Sequence, residues 1–489
     1  MNSPIRSNTN SDQVAAQLAG SGVVVPSLSQ LREQLGAENP YVVAVGYYAR
    51  RDKPESFYQY DHADTTSADN GGTVIVGNNG DRWKLVPDVS ISVCDFGVIG
   101  DGLRDNAAQL MQLRAWMAAK TAAGNVVQVT WPAGRYTYSQ GPNWAIPGLR
   151  MVAEGEVWLI NTGTDTSFLC DGSYIAGGVR GMSVKGNFVV FPNTNSASGV
   201  LIKSVHVSEI QLVSRGGGNG YSAIYISGCV CTLFLLRASG NDGGWYNAPT
   251  HCLYITQHEP GGQTSYCTFL NPILEGAPVG VLLDGAMGNT FIGGTMEACS
   301  NIGAQLTVNA IQNKFFSIDF EENGNNDIHC QGSDNEFISC DTLKKILIAG
   351  GNDNQVVGGL HQAIEVQAPA NRTLLSGFKY NRMGGSAFPS DAGVKTRFRD
   401  LTNVGTGLQH NAPPTMRQLT LGASPFTYTN TAGNDQSVAV VPGVITAVAI
   451  VRNGAALPLP TTNGIYELSP GDSIRVEYTT LPALFVLSR

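Results

Sequence analysis

Three glutamates recur at a nearly constant spacing along the middle of the chain. Glu275, Glu297 and Glu321 lie 22 and 24 residues apart, and two aspartates, Asp319 and Asp341, repeat at a similar interval. Two carboxyl groups held close together are the acid and base of glycosidic bond hydrolysis, about 5 Å apart in retaining and about 6.5–9.5 Å apart in inverting enzymes. The spacing therefore predicts carboxylate chemistry if a regular fold stacks these residues in register.

The stretch around these glutamates repeats itself. Its nine-residue blocks read NTFIGGTME (289–297), NKFFSIDFE (313–321), NEFISCDTL (335–343) and NQVVGGLHQ (354–362), and CTFLNPILE (267–275) fits in front of them. A period of about 20–24 residues in a β-rich segment is typical of a solenoid in which each repeat is one coil. The sequence thus predicts a parallel β-helix over this stretch.

The aligned blocks also predict which side chains face inward. The third position is mostly Phe, and the fourth and eighth positions are mostly apolar, so we expect the fourth and eighth to face the core. The seventh and ninth positions, which hold the carboxylates, then lie on the outer face, and the Asn that opens each repeat suits a left-handed corner. Small residues at the fifth position predict a shallow groove beside the carboxylates: Gly293, Ser317, Ser339 and Gly358.

We assign the catalytic roles to Glu297 and Glu321, one as the acid and the other as the base on water, with Asp319 as the third choice. Strands of adjacent coils lie about 4.8 Å apart, so carboxylates two coils apart are roughly 9–10 Å apart along the stack. Stacked like charges raise one another's pKa, which favours a proton donor. Glu275 and Asp341 extend the acidic face and are predicted to bind substrate.

Other interpretations of this acidic face remain open at this point. The glutamates could be solvated residues paired with Lys314 and Lys344, or they could bind a divalent cation. A lyase would instead need a His or Tyr base and a cation. Such residues are present without a distinctive spacing: His251, Tyr254, His258, Lys344 and Lys345.

Two Gly-rich insertions carry aromatic residues. They span residues 214–222 and 241–250, and they contain Tyr221, Trp245 and Tyr246. Loops on a rigid scaffold are common places for binding residues, and aromatic rings supply a flat apolar surface. We therefore predict that these three residues stack on a sugar ring.

Composition excludes several classes of protein and site. The net charge is −8 and no run of five or more basic residues occurs, so we expect no nucleic-acid partner. The first residues lack the apolar core of a signal peptide, and no apolar stretch is long enough to span a membrane. The nine cysteines lie mostly in apolar contexts, which favours buried reduced thiols. The pair Cys229 and Cys231 has no partners at zinc spacing, so no metal or other cofactor is predicted.

The rest of the chain divides by composition into flanking segments. The apolar spacing of Leu110, Leu113, Trp116 and Met117 predicts a helix over residues 106–120, and Ser27 is predicted to cap a short helix over residues 27–36. The expected domains are an N-terminal attachment segment, a small β module, the β-helix, a linker and a C-terminal β-sandwich. Their predicted bounds are 1–40, 41–90, 91–380, 381–413 and 414–489.

A resemblance to a known family rests on several of these segments. DFGVIGDGLRDNAAQL (95–110), followed by VTWPAGRYTY (129–138), resembles the start of the pectate-lyase-like β-helix of bacteriophage tailspikes and capsule depolymerases. In that family an aspartate-rich turn and a helix close the N-terminal end of the solenoid. Leu103 to Asn106 depart from the usual Thr-Asp-Asp pattern at this turn. GYYARRDKPESFYQYD (46–61) is similar to the small β module before many phage β-helices, and residues 444–487 are similar to C-terminal tail-fibre modules.

The resemblance implies an all-β chain with a right-handed parallel β-helix, a small N-terminal α/β cap module and a C-terminal β-sandwich. It implies a tailspike in the virion that binds capsule or O-antigen polysaccharide during adsorption and depolymerises it, which the carboxylates would do by hydrolysis. A lyase on the same fold and a non-catalytic receptor-binding or structural tail protein are the alternatives. The expected partners are the polysaccharide, two further copies in a homotrimer, and a phage tail or baseplate protein bound through the N-terminus.

Overall fold

The computed structural model describes residues 23–86, 90–193, 198–217, 221–240, 249–257, 262–381, 383, 389–404, 406, 409–410, 415–432, 435–441, 443–460, 462 and 464–488. The chain forms two compact units, the first comprising residues 1–254 and 258–263 and the second residues 255–257 and 264–489. Each unit consists mainly of β-strands, as predicted. No helix in the described ranges is long and apolar enough to cross a membrane.

The first unit begins with a small five-stranded sheet. Its strands, in sheet order, are Val23–Val25, Tyr41–Ala44, Ser56–Tyr60, Arg82–Val86 and Val74–Val76. A short helix, Leu28–Leu31, lies between the first two strands, and the Ser27 hydroxyl accepts a hydrogen bond from the Gln30 amide as the predicted cap.

Two helices follow this sheet. They are the 3₁₀ helix Val93–Phe96 and the α-helix Ala107–Ala122. The four residues that predicted this helix are its buried ones, so its apolar face was identified correctly. The Asp95 carboxylate closes a capping box with Ser92 and accepts a hydrogen bond from the buried Lys53 ammonium at 3.1 Å.

Parallel strands form the coils of the first unit. One group comprises Ser90–Ser92, Asp101–Asp105, Gln128–Trp131, Gly134–Tyr138, Arg150–Asn161, Ser183–Phe191, Glu209–Ser214 and Leu233–Ser239. A second sheet, here called the outer sheet, comprises Phe168–Asp171, Val200–Lys203, Ser222–Ser227 and His251–Thr256. The short pair Val179–Arg180 and Val205–His206 lies outside both. Irregular coil lengths distinguish this unit from the second.

The second unit contains regular coils built on three parallel sheets. The first sheet comprises Thr268–Leu270, Thr290–Ile292, Lys314–Phe316, Glu336–Ile338, Gln355–Val357, Leu374–Ser376 and Arg397–Arg399. The second comprises Ile273–Glu275, Thr295–Glu297, Asp319–Glu321, Asp341–Thr342, Leu360–His361, Lys379–Tyr380 and Leu401–Asn403, the last paired with Gln409–His410. The third comprises Val279–Asp284, Ile302–Leu306, Asn326–Cys330, Lys345–Ile348, Ala363–Val366 and Ser390–Asp391. The predicted parallel β-helix is confirmed.

A stack of phenylalanines fills the core at the third repeat position. The rings of Phe269, Phe291, Phe315 and Phe337 follow one another at centroid distances of 4.5, 4.6 and 5.2 Å, and all four are buried. Because one ring sits on each coil, the first two distances match the spacing of adjacent parallel strands, about 4.8 Å. The stack therefore holds the coils in register.

The fourth position, predicted to face the core, lies on the outside, and that prediction was wrong. Ile292 is 39% exposed there, whereas Met296 and Phe320 at the eighth position are buried as predicted. The reason is the fifth residue, which adopts a left-handed backbone with φ of 62° at Gly293 and 51° at Ser317. This turn residue shifts the inward–outward alternation by one position between the first and second sheets.

The asparagine that opens each repeat was also assigned the wrong conformation. The left-handed residue is the one before it, for example Gln312 with φ 59° and Asp334 with φ 57°. Asn313 and Asn335 are instead fully buried, and the Asn313 amide donates to the Asn335 side-chain oxygen at 3.1 Å. A ladder of such bonds extends from Asn289 to Asn354 and satisfies the buried polar groups of the corner.

The second unit ends in the predicted β-sandwich. One sheet is formed by Thr415–Gln418, Ala483–Ser488, Gln436–Val441 and Gly464–Leu468, and the other by Phe426–Thr429, Ser473–Thr480, Val444–Arg452 and Ala455–Pro458. Buried side chains of the two sheets pack together in one cluster, which includes Val438, Val448, Ile474 and Val486. Alternating apolar residues in each strand explain this arrangement.

Candidate functional site

The three glutamates share one column on the second sheet of the second unit. Glu275 pairs in register with Glu297, and Glu297 pairs in register with Glu321. Each is partly exposed, whereas the residue before it is buried, so all three project outward. We call Glu275, Glu297 and Glu321 the glutamate column, and its predicted existence is confirmed.

Two backbone turns position the column. On one side is the left-handed residue at the fifth repeat position, such as Ser317. On the other, the residue that follows each glutamate is again left-handed: Gly276, Ala298 and Glu322 have φ of 78°, 52° and 52°. The three-residue strands between these turns present their middle residue to the core and their end residues to solvent. Repetition of the same turns on successive coils therefore produces the column.

The electrostatics of the column differ from residue to residue. Burial raises the pKa of Glu297 above its ordinary value, and the negative charge of Glu275 and a hydrogen bond with its carboxyl group raise that pKa further. Glu321 and Asp319 add to the same effect. Glu297 is the middle member, with one glutamate on each side, and a raised pKa is the property that a proton donor requires.

The aspartates occupy a parallel column two residues before the glutamates. Asp319 pairs in register with Asp341. The Asp341 carboxylate accepts a hydrogen bond from the Leu360 amide at 2.9 Å, so it also holds the next coil. Asp319 adds to the negative charge that raises the pKa of Glu297, while Asp341 has a structural role as well as its place on the acidic face.

Lys314 and Lys344, considered as partners of the glutamate column, contact other carboxylates. The Lys314 ammonium pairs with Glu336 on the first sheet at 3.0 Å, and the Lys344 amide donates to the Asp327 carboxylate at 2.6 Å. Within the described ranges no three His, Cys, Asp or Glu side chains converge as a metal ion would need. The nine cysteines are thiols, of which eight are buried and one, Cys231, is exposed.

A groove of about 460 Å³ runs along the second unit at a place that was not predicted. It lies beside the left-handed corner before the first sheet rather than at the fifth repeat position. Its lining includes Tyr266, Gln312, Lys314, Asp334 and Glu336. The small residues at the fifth position satisfy the left-handed turn, where side chains with a β-branch would be strained, and the groove expected beside them stays a prediction.

The predicted aromatic residues belong to the first unit. Tyr221 is 53% exposed, and its carbonyl oxygen accepts hydrogen bonds from the amide and hydroxyl groups of Thr250. Trp245 and Tyr246 lie outside the described residues, as does His258. Sequence reasoning did not group the residues around Thr250, where His251, Tyr254 and Tyr225 form an aromatic cluster. Their only sequence signal was the closeness of His251 to Tyr254.

This chain is similar to a small domain of phage tail proteins and to viral proteins of known structure. Residues 24–88 match the family model for the phage tail protein small four-stranded β-sheet domain. The fold is similar to ORF18 of Geobacillus virus E2, with 13% sequence identity and a TM-score of 0.52 over 94% of this chain and 89% of that chain. It is also similar to the gp42 tailspike of Acinetobacter phage vb_AbaP_AS12, with 11% identity and a TM-score of 0.54 over 96% and 94% of the two chains.

A third structure is tailspike gp49 of the Acinetobacter baumannii bacteriophage Fri1, described as a capsular polysaccharide depolymerase. It matches with 14% identity and a TM-score of 0.47 over 95% of this chain and 98% of that chain. A search of curated proteins gave no match. The chain thus resembles the parallel β-helix tailspikes of bacteriophages in fold, and its residues 24–88 resemble a small domain of phage tail proteins.

Proposed function

We propose that this protein is a phage tailspike that binds a bacterial surface polysaccharide, capsule or O-antigen, during adsorption and hydrolyses its glycosidic bonds. The observation that carries the proposal is the position of Glu297 between two glutamates in register, with a raised pKa. The similarity in fold to a phage tailspike and the match to a phage tail domain support the setting on the virion tail.

The proposed mechanism uses Glu297 as the acid. Its protonated carboxyl group donates a proton to the glycosidic oxygen, while the charge that develops on the sugar is stabilised by the neighbouring carboxylates. Glu321 removes a proton from a water molecule, whose oxygen bonds to the anomeric carbon as the bond to the protonated glycosidic oxygen breaks. Asp319 adds to the negative field beside Glu321.

The stereochemistry of the product distinguishes the possible carboxylate pairs. Glu297 and Glu321 are one coil apart, about 5 Å along the stack, which is the separation in retaining enzymes. In that case Glu321 would itself attack the anomeric carbon, and Glu297 would then activate the water that releases the sugar, with retention of configuration. Glu275 and Glu321 are two coils apart, roughly 9–10 Å, which is closer to the separation in inverting enzymes. NMR of the first-formed anomer would therefore identify the pair that acts on the substrate.

Purified capsule and O-antigen polysaccharides from a panel of host strains provide the main test. We expect shorter oligosaccharides without the ultraviolet absorbance of an unsaturated uronate, and a loss of about 10²-fold or more in Glu297→Gln and Glu321→Gln. Glu365→Gln, on the third sheet, is the matched control and should keep full activity. Full activity of both column variants would refute the catalytic roles of Glu297 and Glu321. Binding of the true receptor without cleavage would refute the proposed enzymatic activity.

A β-eliminating lyase is the second candidate, and one observation favours it. The rings of His251 and Tyr254 lie 5.4 Å apart, and burial lowers the pKa of His251, so a neutral imidazole base stands next to a phenol. Unsaturated products in the same assay, abolished by His251→Gln and unaffected by Glu297→Gln, would establish this function instead.

We also propose a homotrimer attached to the phage tail or baseplate through the N-terminal segment. The C-terminal sandwich exposes large apolar side chains, including Val444, Leu457 and Ile465, which are 56%, 65% and 67% exposed. Light scattering of the full chain should give three times the 51.7 kDa monomer mass. Leu457→Glu should shift that mass toward the monomer, and a monomeric wild-type protein would refute the assembly.

A further inference from the structure

Five residues on the outer sheet of the first unit form a compact polar and aromatic group. They are Lys203, Tyr225, Thr250, His251 and Tyr254, and we call them the tyrosine–histidine cluster. All five are half-buried, while the residues before and after Tyr225 are buried in the core. The side chains therefore project from the outer face of a rigid parallel sheet.

The rings of the cluster form a corner. Tyr225 and Tyr254 lie at 88° to each other with centroids 5.3 Å apart, and His251 lies 5.4 Å from Tyr254 at 34°. The Lys203 ammonium lies 5.9 Å from the centroid of Tyr225. An aromatic wall with a cation and an imidazole on either side offers both an apolar face and polar groups to one small ring.

Thr250 links Tyr221 to His251. The Thr250 hydroxyl lies 3.2 Å from the carbonyl oxygen of Tyr221, to which it can donate, and 2.8 Å from His251 Nδ1. With the hydroxyl proton directed at Tyr221, the hydroxyl oxygen accepts from Nδ1–H, since a hydroxyl has a single proton. Burial keeps the pKa of His251 below its ordinary value, so the ring is neutral at pH 7 and Nε2 has a free lone pair. Nε2 is then a hydrogen-bond acceptor.

One carboxylate lies near Lys203 in the fold. Asp171 stands beside Lys203 in register on the preceding coil, and one oxygen of the Asp171 carboxylate accepts hydrogen bonds from the amide and hydroxyl of Ser173 at 2.9 and 2.5 Å. Lys203 forms no ion pair with any residue that the structure describes. A cation of this kind, beside aromatic rings, favours an anionic ligand.

We propose that the tyrosine–histidine cluster binds one carboxylate-bearing sugar unit of the polysaccharide. Lys203 holds the carboxylate, the tyrosine corner packs against the face of the sugar ring, and His251 Nε2 accepts a hydrogen bond from a sugar hydroxyl. The inference rests on the proposed function in taking a polysaccharide as the ligand, and it adds the substrate class: the glycan contains uronic or other acidic sugars.

Saturation-transfer NMR with methyl glycosides tests the site directly. The probes are the methyl glycosides of glucuronic and galacturonic acid, each compared with its neutral counterpart, methyl glucoside or galactoside. We expect at least one acidic probe to bind about tenfold more tightly than its neutral counterpart, and Lys203→Met to remove the difference. Tyr174→Ala changes a tyrosine of the same unit that is 61% exposed and lies outside the cluster, and it should bind like the wild type. Equal binding of acidic and neutral probes, absence of binding, or binding unchanged in Lys203→Met would overturn the proposal.

A second measurement tests the effect of Thr250 on the tautomer of His251. In ¹⁵N spectra, the His251 resonances, identified by their loss in His251→Gln, should show a protonated Nδ1 and an unprotonated Nε2. Thr250→Val should give a mixture of tautomers and weaken the acidic probe about threefold. An unchanged tautomer in this variant contradicts the role of Thr250.

The outcome is separable from that of the proposed hydrolysis. Glu297→Gln should bind the acidic probe normally while losing cleavage. If the wild-type protein binds the probe and cleaves no polysaccharide, the acidic-sugar site stands and the proposed hydrolysis is refuted. If it cleaves polysaccharide and does not bind the probe, the proposed hydrolysis stands and the acidic-sugar site is refuted.

Discussion

Glu297 stands in register with Glu275 on the adjacent coil, and its pKa is raised by burial, by the charge of Glu275 and by a hydrogen bond between the two carboxyl groups. A parallel β-helix makes this arrangement unavoidable once the same residue type recurs at the same place in the repeat, because the strand spacing is fixed at about 4.8 Å. The backbone therefore holds the carboxylates of Glu275 and Glu297 close enough to repel each other. This repulsion should affect both catalysis and the stability of the protein without a substrate.

The pH profile of cleavage should depend on Glu275. If protonated Glu297 is the acid, kcat falls as pH rises through its raised pKa. Glu275→Gln removes one cause of that rise, so the alkaline limb of the kcat profile should move to lower pH, while Glu365→Gln should leave it in place. A limb that does not move in Glu275→Gln would show that another group supplies the proton.

Thermal stability should report the same repulsion in the absence of any polysaccharide. Because the folded-state pKa of Glu297 lies above its ordinary value of 4.5, its contribution to stability is fully present below that value and is lost as pH rises through the raised pKa. Glu297→Gln does not titrate, so at neutral pH its Tm should exceed that of the wild type by up to about 2 °C, and the gain should vanish in acid. A gain that is equal at all pH values would indicate a different cause.

The phenylalanine stack should dominate the stability of the second unit. Phe315→Ala removes a buried ring that touches rings on both sides, and we expect a loss of about 3–5 kcal/mol. The adjacent Phe316 is only half-buried on the outer face, so Phe316→Ala should cost about 1 kcal/mol or less. Equilibrium unfolding in guanidinium chloride provides the comparison, and similar effects of the two variants would contradict the assigned inward and outward faces.

The asparagine ladder should be nearly as sensitive. The Asn313 side chain donates to the carbonyl oxygens of Ala286 and Ile311 and accepts from the amide of Asn289. Asn313→Ala leaves these buried groups without partners, at an expected cost of about 3 kcal/mol, measured by urea denaturation. Asn309 is exposed, so Asn309→Ala is the control and should change stability by about 0.5 kcal/mol or less.

The buried ion pair of the first unit should respond strongly to loss of one partner. Lys53 and Asp95 are 1% and 11% exposed at their side chains. Lys53→Met leaves a buried carboxylate without its cation and should cost about 3–5 kcal/mol in the free energy of unfolding of the first unit. The exposed pair Arg372 and Asp353 offers the contrast, since Arg372→Met should cost about 0–1 kcal/mol. Equal effects on the denaturation midpoint would argue against burial as the cause.

The period of the second unit made its fold and its glutamate column predictable. A constant repeat length fixes which residues stack, whatever the turns between them. Inward and outward faces were less predictable, because Ser317 and Ser339 adopt left-handed turns that their residue type does not signal. Phe316 and Ile338, which precede these serines, were assigned to the core for that reason.

The tyrosine–histidine cluster could not be found in the same way. Its members come from coils of unequal length, so no alignment of the sequence places Tyr225 beside Tyr254. The hydrogen bond that orients His251 depends on the carbonyl oxygen of Tyr221, a backbone atom that carries no sequence signal.

The hydrogen bond between Lys53 and Asp95 limits where the N-terminal sheet can be joined to a different β-helix. Lys53 lies within residues 24–88, the segment that matches the phage tail domain, whereas Asp95 lies beyond that segment in the 3₁₀ helix Val93–Phe96. A chimaera joined at residue 88 would therefore separate a buried cation from its anion, and one joined after Phe96 would keep them together. A transplanted N-terminal sheet should for that reason carry the 3₁₀ helix with it.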